Sequence, residues 1–308
     1  MAWRRLRKVG VLVAAAFVLA GSTGCELEDI LGPRVESSLV RTASFVVVGD
    51  PAIDVESANG AISLHGVEGQ SDVEVRMTLR SRGTTLEQAN DRLGRIVVHA
   101  EQEGGRIVLR YVASQQDADV RRTSGVEFDV TLPSTAEICA ETSNGAIRVA
   151  AIRGAVDLAT SNGAVVVEDF AGGVSASTSN GEIVVTRGEG VLRLKTSNGR
   201  IRIGEMAGAV DAETSNGEIA FSGRLADGSH RLRSSNGRII VRVPEAVPLH
   251  IVAHTHNAAI TSSLPLIGDV EGRAWDAVLN PPATATLTIE TSNGEIHLGS
   301  LPPAGAIP

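Results

Sequence analysis

Aromatic side chains are scarce in this sequence, at 3% of 308 residues, and cysteine occurs only twice. With so few large rings, the core has to be built mainly from valine, isoleucine, leucine and alanine, which suit thin, regular layers. Hydrophobic residues reach 43% and charged residues 21%, as in soluble folded proteins. The composition therefore excludes a disulfide-rich scaffold and a disordered chain.

Positive charge is also in short supply, since 28 Lys and Arg stand against 36 Asp and Glu. The formal net charge is −8. Removal of the four basic residues near the N-terminus would move it to about −12. An acidic protein has no electrostatic reason to bind nucleic acid or an anionic membrane surface. We therefore expect no nucleic-acid partner.

Residues 1–25 have the layout of a secretory signal peptide. Basic residues occupy positions 4, 5, 7 and 8, and an apolar run follows from Val9 to Ala20. The run is roughly a dozen residues long, whereas a membrane-spanning helix needs about 20. Removal of the residues that precede Cys25 is therefore predicted, with an uncleaved anchor helix as the alternative.

Cys25 ends this segment and is the candidate lipid-attachment residue. Three small residues precede it, which resembles the lipobox of bacterial lipoproteins, although that motif usually has leucine where Ser22 stands. Two or more acyl chains on Cys25 would attach the protein stably to a membrane and leave Cys139 without a disulfide partner. We expect a membrane-anchored lipoprotein of the cell envelope, periplasmic or surface-exposed, with secretion as the alternative. Residues 26–43 would form a tether, and residues 300–308 a loose tail.

The dominant feature of the sequence is a motif of the form "TSNGxI" that recurs at a fixed period. Its asparagine advances in four steps of 18 residues, then by 20, 21 and 36 residues. These asparagines are Asn144, Asn162, Asn180, Asn198, Asn216, Asn236, Asn257 and Asn293, with Asn59 as an early outlier. A fixed period of this size is typical of solenoids, propellers and repeat arrays.

Each unit predicts two strands joined by the motif. In the unit from Gly154 to Ala171, apolar residues recur at every second position on both sides of the Asn-Gly pair, which is the period of a β-strand. Asn-Gly between such runs is also the strongest short signal for an antiparallel hairpin. An antiparallel meander and a stack of parallel coils are therefore the two candidate architectures.

The charged residues separate these two architectures. At fixed positions relative to the motif, the sign alternates from one unit to the next, as in Lys195, Glu213 and Arg233. Stacked coils make opposite charges neighbours, whereas a meander would place Asp157 opposite Glu168. We therefore predict an all-β fold, a right-handed parallel β-solenoid (β-helix) over residues 44–299 with about 18 residues per coil.

Architecture, rather than chemistry, explains the motif. Stacking predicts an inward column of motif threonines and, at the bend, a column of hydrogen-bonded side-chain amides. The predicted structural ladder consists of Asn144, Asn162, Asn180, Asn198, Asn216 and Asn236. The motif glycine is expected to supply a positive φ at the corner. No catalytic role follows for any of these residues.

Two irregular segments interrupt the repeat. Residues 84–132 are expected to cap the N-terminal end or to interrupt the solenoid early. They contain one predicted short helix between a Thr84–Glu87 capping box and Gly94, and then a hairpin. Residues 265–284 contain Trp275 and form either a functional loop or a cap over the last coils, of which we favour the cap.

Candidate chemistry is sparse. His250, His254 and His256 would share one side of a strand and are candidate metal ligands, but no further ligand is evident, so a surface position is favoured. Grouped carboxylates such as Asp157 and Asp211 would suit a carbohydrate-active enzyme, yet their alternation with Arg and Lys favours a role in register. The sequence has no phosphate loop, nucleophile elbow, zinc-protease or calcium-repeat motif. We expect no enzyme activity, no catalytic residue, no metal and no cofactor.

Two phrases carry a resemblance to a known family. They are "VTLPSTAEICAETSNGAI" from Val130 to Ile147 and "LTIETSNGEIHL" from Leu287 to Leu298. With the lipobox and the repeat, residues 44–299 resemble the bacterial β-strand-repeat lipoproteins called putative adhesins, a family with a domain of unknown function. The resemblance implies a parallel β-helix-like solenoid and leaves the activity open.

The expected function is a non-enzymatic, lipid-anchored envelope module for binding, adhesion or structure. Its partners would be the membrane, through the N-terminal lipid, and an envelope protein or glycan. Two alternatives are an accessory factor of envelope stress signalling and, less favoured, a carbohydrate-active enzyme on a β-helix scaffold.

Overall fold

The computed structural model describes residues 15–17, 35–111 and 117–301. Cys25 and residues 302–308 of the predicted tail lie outside these described residues. Two helices are present in the described part, α1 (Leu86–Gly94) and α2 (Ala118–Thr123), and neither is long and apolar enough to cross a membrane. The remaining regular structure is β-sheet.

The strands form one continuous hydrogen-bonded system. In chain order they are β1 (Ala15–Phe17), β2 (Val35–Val46), β3 (Ala52–Asn59), β4 (Ile62–Val67), β5 (Asp72–Gly83), β6 (Val98–Glu103), β7 (Arg106–Tyr111), β8 (Ser124–Pro133), β9 (Glu137–Asn144), β10 (Ile147–Ile152), β11 (Val156–Thr160), β12 (Val165–Thr178), β13 (Ile183–Thr196), β14 (Ile201–Thr214), β15 (Ile219–Leu225), β16 (Gly228–Ser234), β17 (Ile239–Val243), β18 (Leu249–Thr255), β19 (Ile260–Ser262), β20 (Ile267–Asp269), β21 (Ala274–Leu279), β22 (Ala285–Thr291) and β23 (Ile296–Ser300).

Successive repeat units lie on top of one another as parallel layers. Val165 pairs with Ile183, Ile183 with Ile201 and Ile201 with Ile219, so equivalent residues of consecutive units are neighbours. The predicted parallel β-solenoid is therefore confirmed, and the antiparallel meander is wrong for the repeat. Antiparallel pairs occur only towards the two ends, as in β2–β5 and β18–β21.

Each coil has two strands whose inward side chains fill a thin aliphatic core. In β11 the buried residues are Val156, Leu158 and Thr160, while Asp157 is exposed. We call the outer surface of the strands that precede the motif the first face. It comprises β3, β9, β11, the C-terminal halves of β12, β13 and β14, and then β16, β22 and β18. The second face belongs to the strands that follow the motif.

The two corners of a coil use glycine for different reasons. At the corner inside β12, β13 and β14, Gly172, Gly190 and Gly208 have φ of 132°, 137° and 144°, a region that favours glycine. At the other corner the motif glycine of the early unit, Gly60, has φ of 148°, as predicted. The motif glycines from Gly145 onwards do not share this conformation, so the predicted positive φ is wrong for them. A Cβ atom on Gly163 or Gly181 would lie 1.6 Å from the carbonyl oxygen of the preceding motif glycine. They are glycine because the backbones of adjacent coils approach too closely for a side chain.

The order of the coils in space departs from chain order at both ends. The coil of β3 and β4 lies between β7–β8 and β9–β10, although β7 and β8 follow it in the chain. The last unit, β22 and β23, lies between β16–β17 and β18–β19. In both places, the unit that is outermost in sequence is covered by another one in space.

The ends differ from expectation in detail. Helix α1 is capped by Thr85, which accepts a hydrogen bond from the N–H of Gln88, so the predicted Thr84–Glu87 capping box is displaced by one residue. Helix α2 was not predicted at all. Residues 35–43 of the expected tether belong to β2, because alternating residues such as Leu39 pack on the sheet. Trp275 lies in β21 and is 8% exposed, in the position of a cap over β18.

Candidate functional site

The motif asparagines form a continuous ladder at the edge between the two faces. Each side-chain amide after Asn59 donates to the side-chain oxygen of the neighbouring asparagine, at distances between 2.6 and 2.9 Å. The amide of Asn59 donates to the backbone carbonyl oxygens of Arg121 and Ser124. In spatial order the ladder is Asn59, Asn144, Asn162, Asn180, Asn198, Asn216, Asn236, Asn293 and Asn257. The donor and acceptor of the amides along the column are thus used within the protein, which fits a structural role.

The motif threonine completes the corner from inside. Thr196 Oγ1 accepts from the N–H of Gly199 at 3.1 Å and donates to the carbonyl oxygen of Gly181, one coil earlier, at 3.1 Å. Thr160 makes the same two bonds with Gly163 and Gly145. A buried hydroxyl therefore satisfies one donor and one acceptor of the backbone where the coils are closest.

The first face carries columns of alternating charge over the middle of the solenoid. Arg193 and Lys195 of β13 lie beside Asp211 and Glu213 of β14, and we call these four residues the alternating strip. Lys195 Nζ is 3.5 Å from a carboxylate oxygen of Glu213. The next strand along, β16, is again basic on this face, and Arg231 lies 3.0 Å from Glu290 of β22. Neighbouring coils are therefore held in register by opposite charges.

The alternation fails at one place, near the N-terminal end of the same face. Carboxylates on three adjacent strands follow one another there, and we call this set the acidic strip. It consists of Asp54 and Glu56 of β3, Glu137 and Glu141 of β9, and Asp157 of β11. The two carboxylates of β3 form ion pairs with Arg106 and Arg110 of β7. Within the described part of the chain, the carboxylates of β9 and β11 have no cation within 4.0 Å.

A shallow groove of about 390 Å³ lies beside the acidic strip. Its lining includes Asp54, Glu137, Cys139, Asp157, Ser175 and Arg193. The floor is formed by residues with small side chains or none, among them Ala155 and Gly173. The groove thus runs from unpaired carboxylates, across a neutral strand, to a guanidinium group, and it leaves room above the backbone.

Cys139 is exposed in the middle of this groove, as the sequence predicts for a small residue on a strand. Its register neighbours are Asp54 on one side and Asp157 on the other. Partial burial raises the pKa of the exposed Cys139 thiol, and the nearby charges of Asp157, Asp54 and Glu141 raise it further, whereas Arg106 lowers it. A thiol with a raised pKa is a poor nucleophile at neutral pH.

The three histidines do not converge on one point. Nε2 of His250 lies 2.7 Å from a carboxylate oxygen of Asp276, while the rings of His254 and His256 meet edge to face with centroids 4.7 Å apart. Among residues 15–17, 35–111 and 117–301, no group of three or more His, Cys, Asp or Glu side chains is placed to hold a metal ion.

One buried polar residue escaped the sequence analysis. His230 is 3% exposed and occupies a core position in β16, beside Leu287 of β22. Its Nδ1 accepts from the N–H of Val210 at 3.3 Å, and its Nε2 lies 2.7 Å from the carbonyl oxygen of Ala226. Both ring nitrogens therefore have hydrogen-bond partners. In the sequence, only the longer step from Asn216 to Asn236 indicated that this unit differs from the others.

Comparison with known proteins gives one match in sequence and several in structure. Residues 126–299, more than half of the chain, match the family model described as Toastrack DUF4097. No curated protein matches the sequence significantly.

Three solved structures are similar over 85% of this chain. A putative cell adhesion protein from Clostridium sporogenes ATCC 15579 is 11% identical, with all of its own chain covered and a TM-score of 0.28. A putative lipid binding protein from Parabacteroides distasonis ATCC 8503 is 12% identical, with 97% covered and a TM-score of 0.43. A putative adhesin from Bacteroides fragilis NCTC 9343 is 10% identical, with 97% covered and a TM-score of 0.37.

Proposed function

The chain belongs to the Toastrack DUF4097 family, and we propose that it is a non-enzymatic, lipid-anchored binding module of the cell envelope whose partner docks in the groove of the first face. The family is the one that the repeat and its two flanking phrases had indicated. The solenoid supplies a rigid surface, and the N-terminal lipid holds that surface at a membrane.

The observation that carries this proposal is the interruption of charge alternation at the groove. Like charges on adjacent strands cost a few tenths to about 1 kcal/mol per pair, and the middle of the same face avoids them. Glu56 lies beside Glu141, and Asp157 and Asp54 both flank Cys139. A purely structural face would gain by continuing the alternation, so the unpaired carboxylates point to a partner that carries positive charge.

The composition of the groove favours binding over catalysis. A catalytic acid or nucleophile would need a second functional group within hydrogen-bond distance to activate or orient it. The groove offers exposed carboxylates on flat strands instead, together with a thiol whose pKa is raised rather than lowered. Small floor residues such as Ala155 and Gly173 leave space for an extended segment of an envelope protein or for an amine-bearing glycan.

A pull-down of envelope components by the processed, detergent-solubilised protein, run beside a glycan array, tests this function. The groove variant Glu137→Gln/Asp157→Asn should lose at least one partner that the parent retains. The matched control Asp211→Asn/Glu213→Gln changes carboxylates on the same face outside the groove and should keep it. Equal retention of the partner by both variants would show that the groove is not the binding site. Release of a cleaved glycan would show that the protein is an enzyme.

Lipid anchoring is tested separately through Cys25. Cys25→Ser removes the thiol that would be acylated, so the protein should leave the membrane fraction, whereas Cys139→Ser should remain in it. Intact mass after detergent extraction should show loss of residues 1–24 and gain of acyl chains on Cys25. A chain that stays with membranes after Cys25→Ser, or a parent chain whose mass includes residues 1–24, would contradict the lipoprotein assignment.

A further inference from the structure

Strand β2 is a long sheet edge with which, among the described residues, only the three-residue strand β1 pairs. It pairs with β5 over twelve consecutive residues, from Val35 with Gly83 to Val46 with Asp72, without a bulge. Only two of these twelve residues are charged, and none is proline or glycine. Long, regular edges of this kind are templates for pairing with another strand, and natural proteins usually blunt them.

The other sheet edges in the described part of the chain are blunted. The outer strand β6 carries His99, Glu101 and Glu103 and is only six residues long. At the opposite end, β19 and β20 have three residues each, and β20 contains Gly268. Every described sheet edge except β2 is therefore protected against pairing with a strand of another chain.

The backbone groups that point away from the sheet can be assigned. The N–H of Val47 bonds to the carbonyl oxygen of Ser71 across the β2–β5 ladder. Because hydrogen-bonded pairs alternate in an antiparallel ladder, the odd-numbered residues of β2 bond to β5 and the even-numbered ones face outwards. The outward carbonyl of Val46, which accepts from Gln102 Nε2 at 2.9 Å, agrees with this assignment.

The open edge is already shown to accept a strand. Residues Ala15–Phe17 form β1, which pairs antiparallel with β2 so that Ala16 lies beside Val40. These three residues belong to the segment that we expect to be removed on export. Loss of that segment would uncover the middle of an otherwise complete pairing edge.

We propose that β2 is the interface of a homodimer, in which two processed copies pair antiparallel through this strand and join their second faces into one sheet. Antiparallel pairing of identical strands is closed by a two-fold axis, so the same edge serves both copies. In a register centred on Val40, Glu36 of one copy lies opposite Ser44 of the other, and no like charges meet. Anchoring of both copies in one membrane, which rests on the function proposed above, raises their effective concentration.

Disulfide trapping in intact envelopes tests the pairing. In a Cys139→Ser background, Val40→Cys should form a homodimeric disulfide on mild oxidation, because Cα atoms of hydrogen-bonded antiparallel pairs are about 5.5 Å apart, within disulfide range. Thr78→Cys is the matched control, since Thr78 lies beside Val40 one strand further in and on the same side of the sheet. It should give only background cross-linking.

A proline variant then separates pairing from folding. Thr42→Pro removes an outward-facing N–H and leaves the β5 ladder intact, so the mass in solution should halve while the melting temperature stays close to that of the parent. Ala43→Pro removes an inward-facing N–H and should lower the melting temperature. A processed chain without the Val40→Cys cross-link, or one that cross-links to a different protein, overturns the homodimer alone. An intact mass that includes residues 1–24 overturns the homodimer together with the lipoprotein assignment.

Discussion

Two strips of the first face share one type of backbone and differ in how their charges are arranged. In the alternating strip, Lys195 lies beside Glu213, and each coil offers its neighbour an opposite charge. In the acidic strip, Glu56 lies beside Glu141, and carboxylates occupy three strands in succession. Since both strips stack in the same parallel register, the difference cannot come from the fold. Side chains in the alternating strip stabilise the stacking of the coils. Those in the acidic strip destabilise it slightly and remain available to a partner.

The largest expected effect tests whether the two strips really share one scaffold. Gly163→Ala, near the acidic strip, and Gly199→Ala, near the alternating strip, each place a Cβ 1.6 Å from a carbonyl oxygen of the preceding coil. Since neither backbone can retreat without breaking the stack, both should lower the free energy of unfolding by about 3 kcal/mol or more, measured by urea denaturation.

Gly173→Ala is the control, because a Cβ there meets nothing within 4 Å. Its unfolding free energy should stay near that of the parent. A large loss for only one of the two corner variants would mean that the strips rest on different backbone geometry.

A smaller effect of the same kind is expected from the motif threonines. Thr160→Val and Thr196→Val preserve the shape of the side chain but leave one glycine N–H and one glycine carbonyl without a buried partner. Each should cost about 1–3 kcal/mol, because an unsatisfied buried polar group loses its solvation without compensation. Ser177→Ala, an exposed position on β12, should change the stability little. Equal stability of all three variants would show that the hydroxyls are dispensable.

Charge reversal should change the stability of the protein in opposite directions in the two strips. Lys195→Glu places a carboxylate beside Glu213 and should destabilise the protein, whereas Glu141→Lys places an amine beside Glu56 and should stabilise it. The groups are exposed, so each change is expected to be a few tenths to about 1 kcal/mol, and it should shrink at high salt. The same sign for both variants would remove the distinction between the strips.

How much of this was visible in the sequence depends on the part of the molecule. The 18-residue step and the alternation of residues such as Val156 and Asp157 were enough to predict the parallel stack and its two faces. In such a stack, residues at the same position of consecutive units become neighbours. The role of Gly163 was predicted wrongly. Both a positive φ and a close approach between two backbones require glycine, so the sequence alone does not distinguish the two causes. Helix α2 was missed because six mostly polar residues carry no helical period.

The acidic strip could not have been found from the repeat alone. Glu56 precedes Glu141 by a long stretch of chain, and they become neighbours only because the coil of β3 and β4 is inserted between β8 and β10. The unit around Asn59 carries a motif of the same form as the later units, so the motif does not show where this unit lies in the stack. A repetitive sequence therefore fixes the register of each layer without fixing the order of the layers, and the candidate site depends on that order.

The smallest expected effect uses Cys139 as a reporter inside the acidic strip. Burial and the charges of Asp157, Asp54 and Glu141 raise the pKa of its thiol, so less thiolate is present at a given pH and alkylation is slow. Asp157→Asn removes one of these charges and should speed alkylation by iodoacetamide, because more thiolate is then present at the same pH, while partial burial still raises the pKa of the thiol. Asp211→Asn, in the alternating strip, should leave the rate unchanged. Arg106→Gln removes the cation that lowers the pKa and should slow the reaction, so a rate insensitive to both Asp157 and Arg106 would show that these charges do not act together across the groove.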